Sequence, residues 1–454
     1  MTPPRLPPPA PPLARRSGRA GILRRQPARE PSARTYARSL PVVPVRARGL
    51  TIEGADGRRY LDCLSGGGAL ALGHNHPVVL EAIRAVLDSG APLQVPDLAT
   101  PVQEAFAAEL FATLPRGLAD SARIRFCGPA TTDAMADAFR LVRAATGRDG
   151  LLALAGDGPA EDADATGCPL GDAHRGMPLP AGLVVEPVLG DAVLPVPEER
   201  LRRIRDITAA RAVPLIADEA WTGAGRTGAF WAVEHSGVVP DVMVLSKAIG
   251  GSLPLAVIVH RDDLDARPSH RDPDPAAAFQ ADEFQGNQLA MAAGAATLRH
   301  IRENGLDRRA AVLGARMLER LRRLAREHEC VADVRGKGLM IGIEFTDQFT
   351  DPGTGPAPGP EAGRAAGPAT SVPGRRPSSA AAAAAAALAE TVRRECLRRG
   401  LIVGLSDRRP PVIRLLPPLT LTDEQAEAVL DRLSDAVAAA SAPSAGTPPP
   451  DRRP

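Results

Sequence analysis

Among 55 basic residues the chain holds just two lysines, Lys247 and Lys337; every other position that needs a positive side chain carries arginine. An ammonium that only has to be charged is replaceable by guanidinium. An amine that must lose its proton and attack a carbonyl is not, because guanidinium stays protonated in proteins. Lys247 ends the apolar run Val-Met-Val-Leu-Ser-Lys and precedes Ala-Ile-Gly-Gly, where a strand gives way to a glycine turn. That is a suitable seat for a nucleophilic amine. A second chemical group, the carboxylate of Asp218, closes the earlier apolar run Pro214–Asp218.

The elements around them position both groups. Short apolar runs suggest strands at Arg123–Cys127, Leu151–Ala155, Leu183–Val188, Pro214–Asp218, Asp241–Leu245 and Leu255–Val259. Between them lie amphipathic helices. One runs from Thr132 to Ala145, with Met135, Ala138, Phe139 and Val142 on one face and Gly147 as its stop; another carries Leu201, Ile204 and Ile207 behind Pro197. Strand–helix alternation implies an α/β doubly wound, mostly parallel sheet, in which ligands bind beyond the carboxyl ends of the strands. Such a sheet points Asp218 and Lys247 into one crevice. The segment Pro41 to Asp88 reads as a strand pair plus a helix that starts at Pro77, with Val79, Ile83 and Val86 on its buried side. The tail reads as a smaller α+β unit. Its strands fall at Leu339–Phe345, Leu401–Val403 and Pro411–Leu416, and Thr422 with Gln425 forms a capping box for a last helix to about Val437.

Composition narrows the function classes. A net charge of +2 offers no basic surface for nucleic acid, and no apolar run approaches a membrane span. Five cysteines, Cys63, Cys127, Cys168, Cys330 and Cys396, show no paired spacing, which points to a reducing, cytoplasmic setting. Residues 1–35 are rich in Pro and Arg, and 351–379 in Pro, Gly, Ala and Ser. Both read as disordered segments, the second ending in an alanine tract and looping out of a globular region.

Two other motifs are weaker. Gly223-Ala-Gly-Arg-Thr-Gly228 has dinucleotide spacing, but Asp241 precedes the next strand instead of ending it. His74-Asn75-His76 lacks a third ligand, so no metal site is expected. Asp218 with Lys247 is the stronger pair. A pyridinium cofactor needs a carboxylate that keeps its ring nitrogen protonated and a lysine that holds its aldehyde. The helix beginning near Thr132 would offer N–H groups to a phosphate.

Seven motifs in order resemble the class III aminotransferases of the fold-type-I pyridoxal-phosphate enzymes, and within them the diaminobutyrate–2-oxoglutarate transaminases. They are Cys-Leu-Ser-Gly-Gly-Gly-Ala-Leu-Ala-Leu-Gly-His-Asn-His-Pro (63–77), Phe-Cys-Gly-Pro-Ala-Thr-Thr-Asp-Ala (126–134) and Val-Val-Glu-Pro-Val (184–188). Next come Ile-Ala-Asp-Glu-Ala-Trp-Thr-Gly-Ala-Gly-Arg-Thr-Gly (216–228), Leu-Ser-Lys-Ala-Ile-Gly-Gly (245–251), Phe-Gln-Gly-Asn-Gln-Leu-Ala (284–290) and Arg-Leu-Leu-Pro-Pro-Leu (414–419).

The resemblance implies pyridoxal 5′-phosphate as cofactor and Lys247 as its Schiff-base lysine. It places Asp218 at the ring nitrogen, Ala220 under the ring, and Ala130, Thr131 and Thr132 in the phosphate cup. Arg414 would receive a substrate carboxylate, with Asp191 in place of a gating glutamate. It also implies a homodimer acting on an amino acid and a 2-oxo acid. Five regions are expected: a tail at 1–35, small-domain residues 36–90, a large cofactor-binding domain at 91–305, a small domain at 306–440 and a tail at 441–454. The small residues of 286–297 suit either a dimer contact or a monomer core.

The chain departs from the family pattern at the cofactor. Thr131 stands for a glycine, and Trp221 for a glutamine that bonds the ring hydroxyl. Glu283 stands for a phosphate-binding threonine supplied by the neighbouring subunit. No Phe, Tyr or Trp lies between Phe139 and Trp221 to stack on the ring, and His174 is a candidate substitute. Two readings therefore stand: a transaminase that makes 2,4-diaminobutyrate from aspartate 4-semialdehyde and L-glutamate, or an impaired relative that keeps the fold as a binding or regulatory subunit.

Overall fold

The structure is a computed structural model that describes residues 40–96, 98–154, 170, 178–265, 285–346, 379–406 and 411–441. The expected disordered tail at 1–35, most of the insert at 351–379, Glu283 and His174 lie outside the described residues, as do 442–454.

Three strands, not two, open the fold: β1 (Pro44–Arg48), β2 (Thr51–Gly54) and β3 (Arg59–Asp62). Helix α1 (Pro77–Ser89) begins with proline at its first turn, buries Val79 and Val86, and stops at Gly90 with φ 70°. There the missing Cβ permits the left-handed turn. Helix α2 (Pro101–Phe111) is capped by Thr100, whose hydroxyl accepts the Gln103 N–H.

The central elements follow the expected alternation. They are β4 (Ala122–Phe126), α3 (Thr131–Thr146), β5 (Leu151–Ala153), β6 (Gly182–Val185), β7 (Val188–Leu189), β8 (Leu194–Pro195), α4 (Glu198–Ala210), β9 (Leu215–Asp218), β10 (Val242–Ser246) and β11 (Ala256–Arg261). The run Leu183–Val188 is not one strand. Pro187 has no N–H to donate, and the chain leaves the sheet after Val185 to form the small β7–β8 ribbon.

The main sheet has the order β4-β11-β10-β9-β6-β5. Strands β10, β9, β6 and β5 pair in parallel, and β11 runs antiparallel to both β10 and β4. It is therefore a mostly parallel mixed sheet, and β9, β10 and β11 read as continuous apolar runs because helices cover both faces.

Helix α5 (Gln288–Glu303) and helix α6 (Leu306–Glu327) complete the middle of the chain. The small residues of 286–297 are core: Ala290, Met291, Ala293 and Gly294 are buried within this one chain. Helix α6 buries Leu306, Ala310, Leu313, Met317, Leu321 and Leu324 along one stripe. Each such aliphatic contributes about 1.5–3 kcal/mol.

The remaining elements are β12 (Val331–Lys337), β13 (Met340–Phe345), α7 (Ser379–Arg398), β14 (Leu401–Ile402), β15 (Gly404–Leu405), β16 (Val412–Leu415) and α8 (Asp423–Ser441). The alanine tract after Ser379 is helical and opens α7, as befits the strongest helix former. Strands β12-β13-β16-β15 form an antiparallel sheet, and β14 pairs with β3, so that strands far apart in sequence share one sheet. The Thr422–Gln425 capping box is present, at 3.1 and 3.2 Å. Among the described residues no helix is long and apolar enough to cross a membrane.

Candidate active site

Strands β9 and β10 lie side by side in parallel register, Asp218 opposite Val244. The Glu219 N–H continues the ladder to Val244 O at 3.0 Å. Three residues beyond Val244 stands Lys247, with φ 56°. A side chain at positive φ costs on the order of 1 kcal/mol and is held there by its surroundings. Here the short turn Lys247–Gly250 is clamped from behind by α5, where Gly294 lies so close to Ile249 O that a Cβ would collide with it. The sheet edge and the clamp together turn Lys247 away from the core.

Lys247 and Asp218 do meet in one crevice, each within electrostatic reach of the other. Burial lowers the Lys247 amine to about 8, opposed by attraction to Asp218 and Glu186 and helped by repulsion from Arg414. Burial likewise raises the Asp218 carboxyl, opposed by the Ala220 N–H and by Lys247. Asp218 Oδ1 accepts that N–H at 2.9 Å. A carboxylate can accept several more bonds, so a cationic ring N–H fits beside it. The other lysine, Lys337, forms a half-exposed ion pair with Glu198 at 2.7 Å. It has a structural use, and Lys247 alone occupies the crevice.

The turn after Asp218 is pinned by Glu219. Its buried carboxylate takes the Val233 N–H at 2.9 Å and the Thr222 hydroxyl. Ala220 is buried in this turn, and Trp221 lies beside Lys247. The indole packs on Val188, Val193, Met340 and Leu416. Lys247 Nζ lies 3.6 Å from its ring centroid and Arg414 Cζ 5.2 Å. Gly190 makes room, since a Cβ there would fall 2.7 Å from Trp221 Cδ1.

Arg414, in the middle of β16, is 1% exposed and donates from Nη1 to Asp191 Oδ1 at 3.0 Å. Its buried Nε makes no hydrogen bond among the described residues. Asp191 is 39% exposed, so the pair can open toward water on the acid's side.

At the other end of the crevice, α3 begins at Thr131. The Ala130 N–H is already taken by Asp133 Oδ2 at 3.0 Å. The first-turn N–H groups of Thr131 and Thr132 have no acceptor within the helix, and the helix dipole favours an anion there. The Thr131 hydroxyl shares a hydrogen bond of 2.6 Å with Ser246, the residue before Lys247. That bond ties the helix start to the lysine turn, and it went unread in the sequence because nothing local marks it.

The residues thus fit a phosphorylated pyridine aldehyde at its amine and acid ends and offer helix N–H groups to its phosphate, and depart from the expected pattern at Thr131 and Trp221. The weaker motifs lie elsewhere. His74 is hydrogen-bonded to Asp62 at 2.7 Å, and His76 meets His300 with ring centroids 4.9 Å apart and the rings tilted by 55°. No metal-ligating group of three occurs among the described residues. Gly223–Gly228 runs through turns, with Gly228 against Ala311, and opens no helix.

The lowered Lys247 value carries a stability consequence. Between about pH 8 and the unfolded value near 10.4 the unfolded chain binds more protons, so stability rises with pH there. Below pH 8 the buried ammonium costs the fold its full amount, about 1–3 kcal/mol after the offsetting cation–π attraction. Lys247→Met in cofactor-free protein should gain that amount at pH 7 and lose most of the gain by pH 10.5. Urea unfolding at the two pH values reads it, and a pH-independent gain would contradict a buried titrating amine.

Comparison with known proteins gives the family. The pattern of the family described as aminotransferase class-III matches residues 32–156 and 175–437. A diaminobutyrate–2-oxoglutarate aminotransferase of Rhizobium meliloti is 39% identical over 94% of this chain and 93% of its own. One from Haemophilus influenzae is 36% identical over 72% and 80%. Among solved structures, acetylornithine aminotransferase from Elizabethkingia anophelis superposes with a TM-score of 0.71 at 21% identity, covering 93% of this chain and all of that one, and so shares the fold. With the lysine and acid in one crevice and the family pattern spanning most of the chain, the protein belongs to the class III aminotransferases, fold-type-I enzymes that use pyridoxal 5′-phosphate.

Proposed function

We propose that the chain transfers an amino group between L-glutamate/2-oxoglutarate and an ω-aldehyde, L-aspartate 4-semialdehyde, to give L-2,4-diaminobutyrate. The single observation that carries this reading is the buried Lys247 amine at about 8, facing Asp218 at adjacent strand ends. The names of the Rhizobium and Haemophilus relatives support the substrate pair.

Pyridoxal 5′-phosphate, when bound, supplies an aldehyde carbon and an electron-accepting ring. Asp218 would hold the ring nitrogen, Ala220 would lie beneath the ring, and the Thr131 and Thr132 N–H groups would hold the phosphate. Lys247 Nζ, uncharged in half of the molecules near pH 8, takes a proton from the substrate's amine-bearing carbon and later returns one. Asp191 swings toward water and leaves Arg414 Nη1 to a substrate carboxylate. The reading includes a homodimer, supported by exposed Leu87, Leu93 and Leu98 along the end of α1 and the segment after it.

The test is a single-turnover half-reaction of purified, cofactor-loaded protein with L-glutamate. The near-visible absorbance should convert to the near-ultraviolet form, and Arg414→Ala should lower kcat/KM on the order of 10²–10³-fold. A loaded protein inert to glutamate and to every ω-amino acid would favour the second reading, a binding subunit. One observation favours that reading: an indole lies over the reacting amine.

A further inference from the structure

We propose that Trp221 selects the substrate class, its indole face receiving the second, non-reacting ammonium of an α,ω-diamino acid. This rests on the reading of Arg414 as the carboxylate receiver and Lys247 as the reacting amine.

The chain has two tryptophans. Trp231 is fully buried and donates from Nε1 to Thr113 O at 2.9 Å, a core role. Trp221 is partly buried at the site, and its ring already accommodates two cations, Lys247 Nζ at 3.6 Å and Arg414 Cζ at 5.2 Å. A tryptophan face is the best aromatic partner for a cation. The ring is a fixed wall: Val188, Val193, Met340 and Leu416 pack against it, and Gly190 is cut back to admit it.

Its position decides what it can touch. A substrate that reacts at Lys247 and anchors its carboxylate on Arg414 must span the stretch of wall that Trp221 forms. The carbon next to that carboxylate is then brought to the indole. In 2,4-diaminobutyrate that carbon bears an ammonium; in 4-aminobutyrate it bears only hydrogen. Lys247 Nζ covers that face at 3.6 Å, and a substrate ammonium takes its place when Lys247 engages the cofactor. Arg414 and Trp221 together thus match a zwitterionic head group, carboxylate to arginine and ammonium to indole.

Two ligands without an ω-amine isolate the contact. L-2-aminobutyrate carries the carboxylate and α-ammonium, butyrate the carboxylate alone. Calorimetric titration of protein loaded with the amine form of the cofactor, which has no aldehyde to condense with the probe's own amine, should give L-2-aminobutyrate about tenfold tighter binding. The ratio should fall toward one in Trp221→Leu and persist in part in Trp221→Phe, which keeps an aromatic face in the same seat. Half-reaction KM values should show the same ranking for 2,4-diaminobutyrate over 4-aminobutyrate. Equal binding of the two probes by the wild-type protein, or an unchanged ratio in Trp221→Leu, overturns the assignment. If neither probe binds, the carboxylate role of Arg414 fails and this inference falls with it.

Discussion

Lys247→Ala is expected to lower amino transfer at least about 10⁴-fold and to abolish the near-visible absorbance of cofactor-loaded protein. Lys247→Arg should be nearly as damaging, although it preserves the charge. Guanidinium cannot shed a proton at any useful pH, whereas burial brings the Lys247 amine to about 8. In a chain that writes arginine almost everywhere else, this substitution separates the need for a charge from the need for a removable proton. Wherever Lys247 acts as a free amine in the reaction, its lowered value should make the wild-type rate climb as pH rises through about 8, because the uncharged form is the one that takes the proton. Single-turnover rates and absorbance spectra read all of this. An arginine variant retaining a hundredth of the rate would end the assignment of Lys247 as the reacting amine.

The second large effect is expected at Asp218. Asp218→Asn keeps the shape and the acceptor that Oδ1 offers to the Ala220 N–H, so the fold should survive. What disappears is a buried negative charge. Leaving a cationic partner without its acid in such a place costs about 3–5 kcal/mol, or two to four powers of ten in kcat. Burial holds the Asp218 carboxyl above its ordinary range, and a ring N–H⁺ beside it would draw it back toward the ionised form. Measuring kcat at saturating cofactor, together with the cofactor dissociation constant, separates lost chemistry from lost binding. A variant with normal kcat and merely weakened cofactor affinity would reduce Asp218 to a docking group.

These two residues were legible before any coordinates. Each closes an apolar run, and parallel sheets place such ends in one crevice. The stop of α3 at Gly147, with φ 64°, and the Thr422–Gln425 cap were legible for the same reason: their signals are local. Other elements were not. Helix α2 and helix α5 are built of small and apolar residues on most faces, so periodicity does not single them out, and 286–297 reads equally as core or interface until its neighbours are known. The strand at Leu183 was drawn too long because apolar content alone does not reveal where Pro187 leaves the ladder.

The sequence by itself determined which amine and which acid are available, and that a doubly wound sheet would present them together. The identity of a side chain and the period of an apolar run are properties of neighbouring residues, readable along the chain. Only the tertiary structure decided what surrounds that pair. The wall at Trp221 draws on residues 188–193, 340 and 414–416, and the bond from Thr131 to Ser246 spans 115 positions. Contacts of such separation depend on how sheets and loops pack in space. The surroundings of the amine are set there, by packing around one indole.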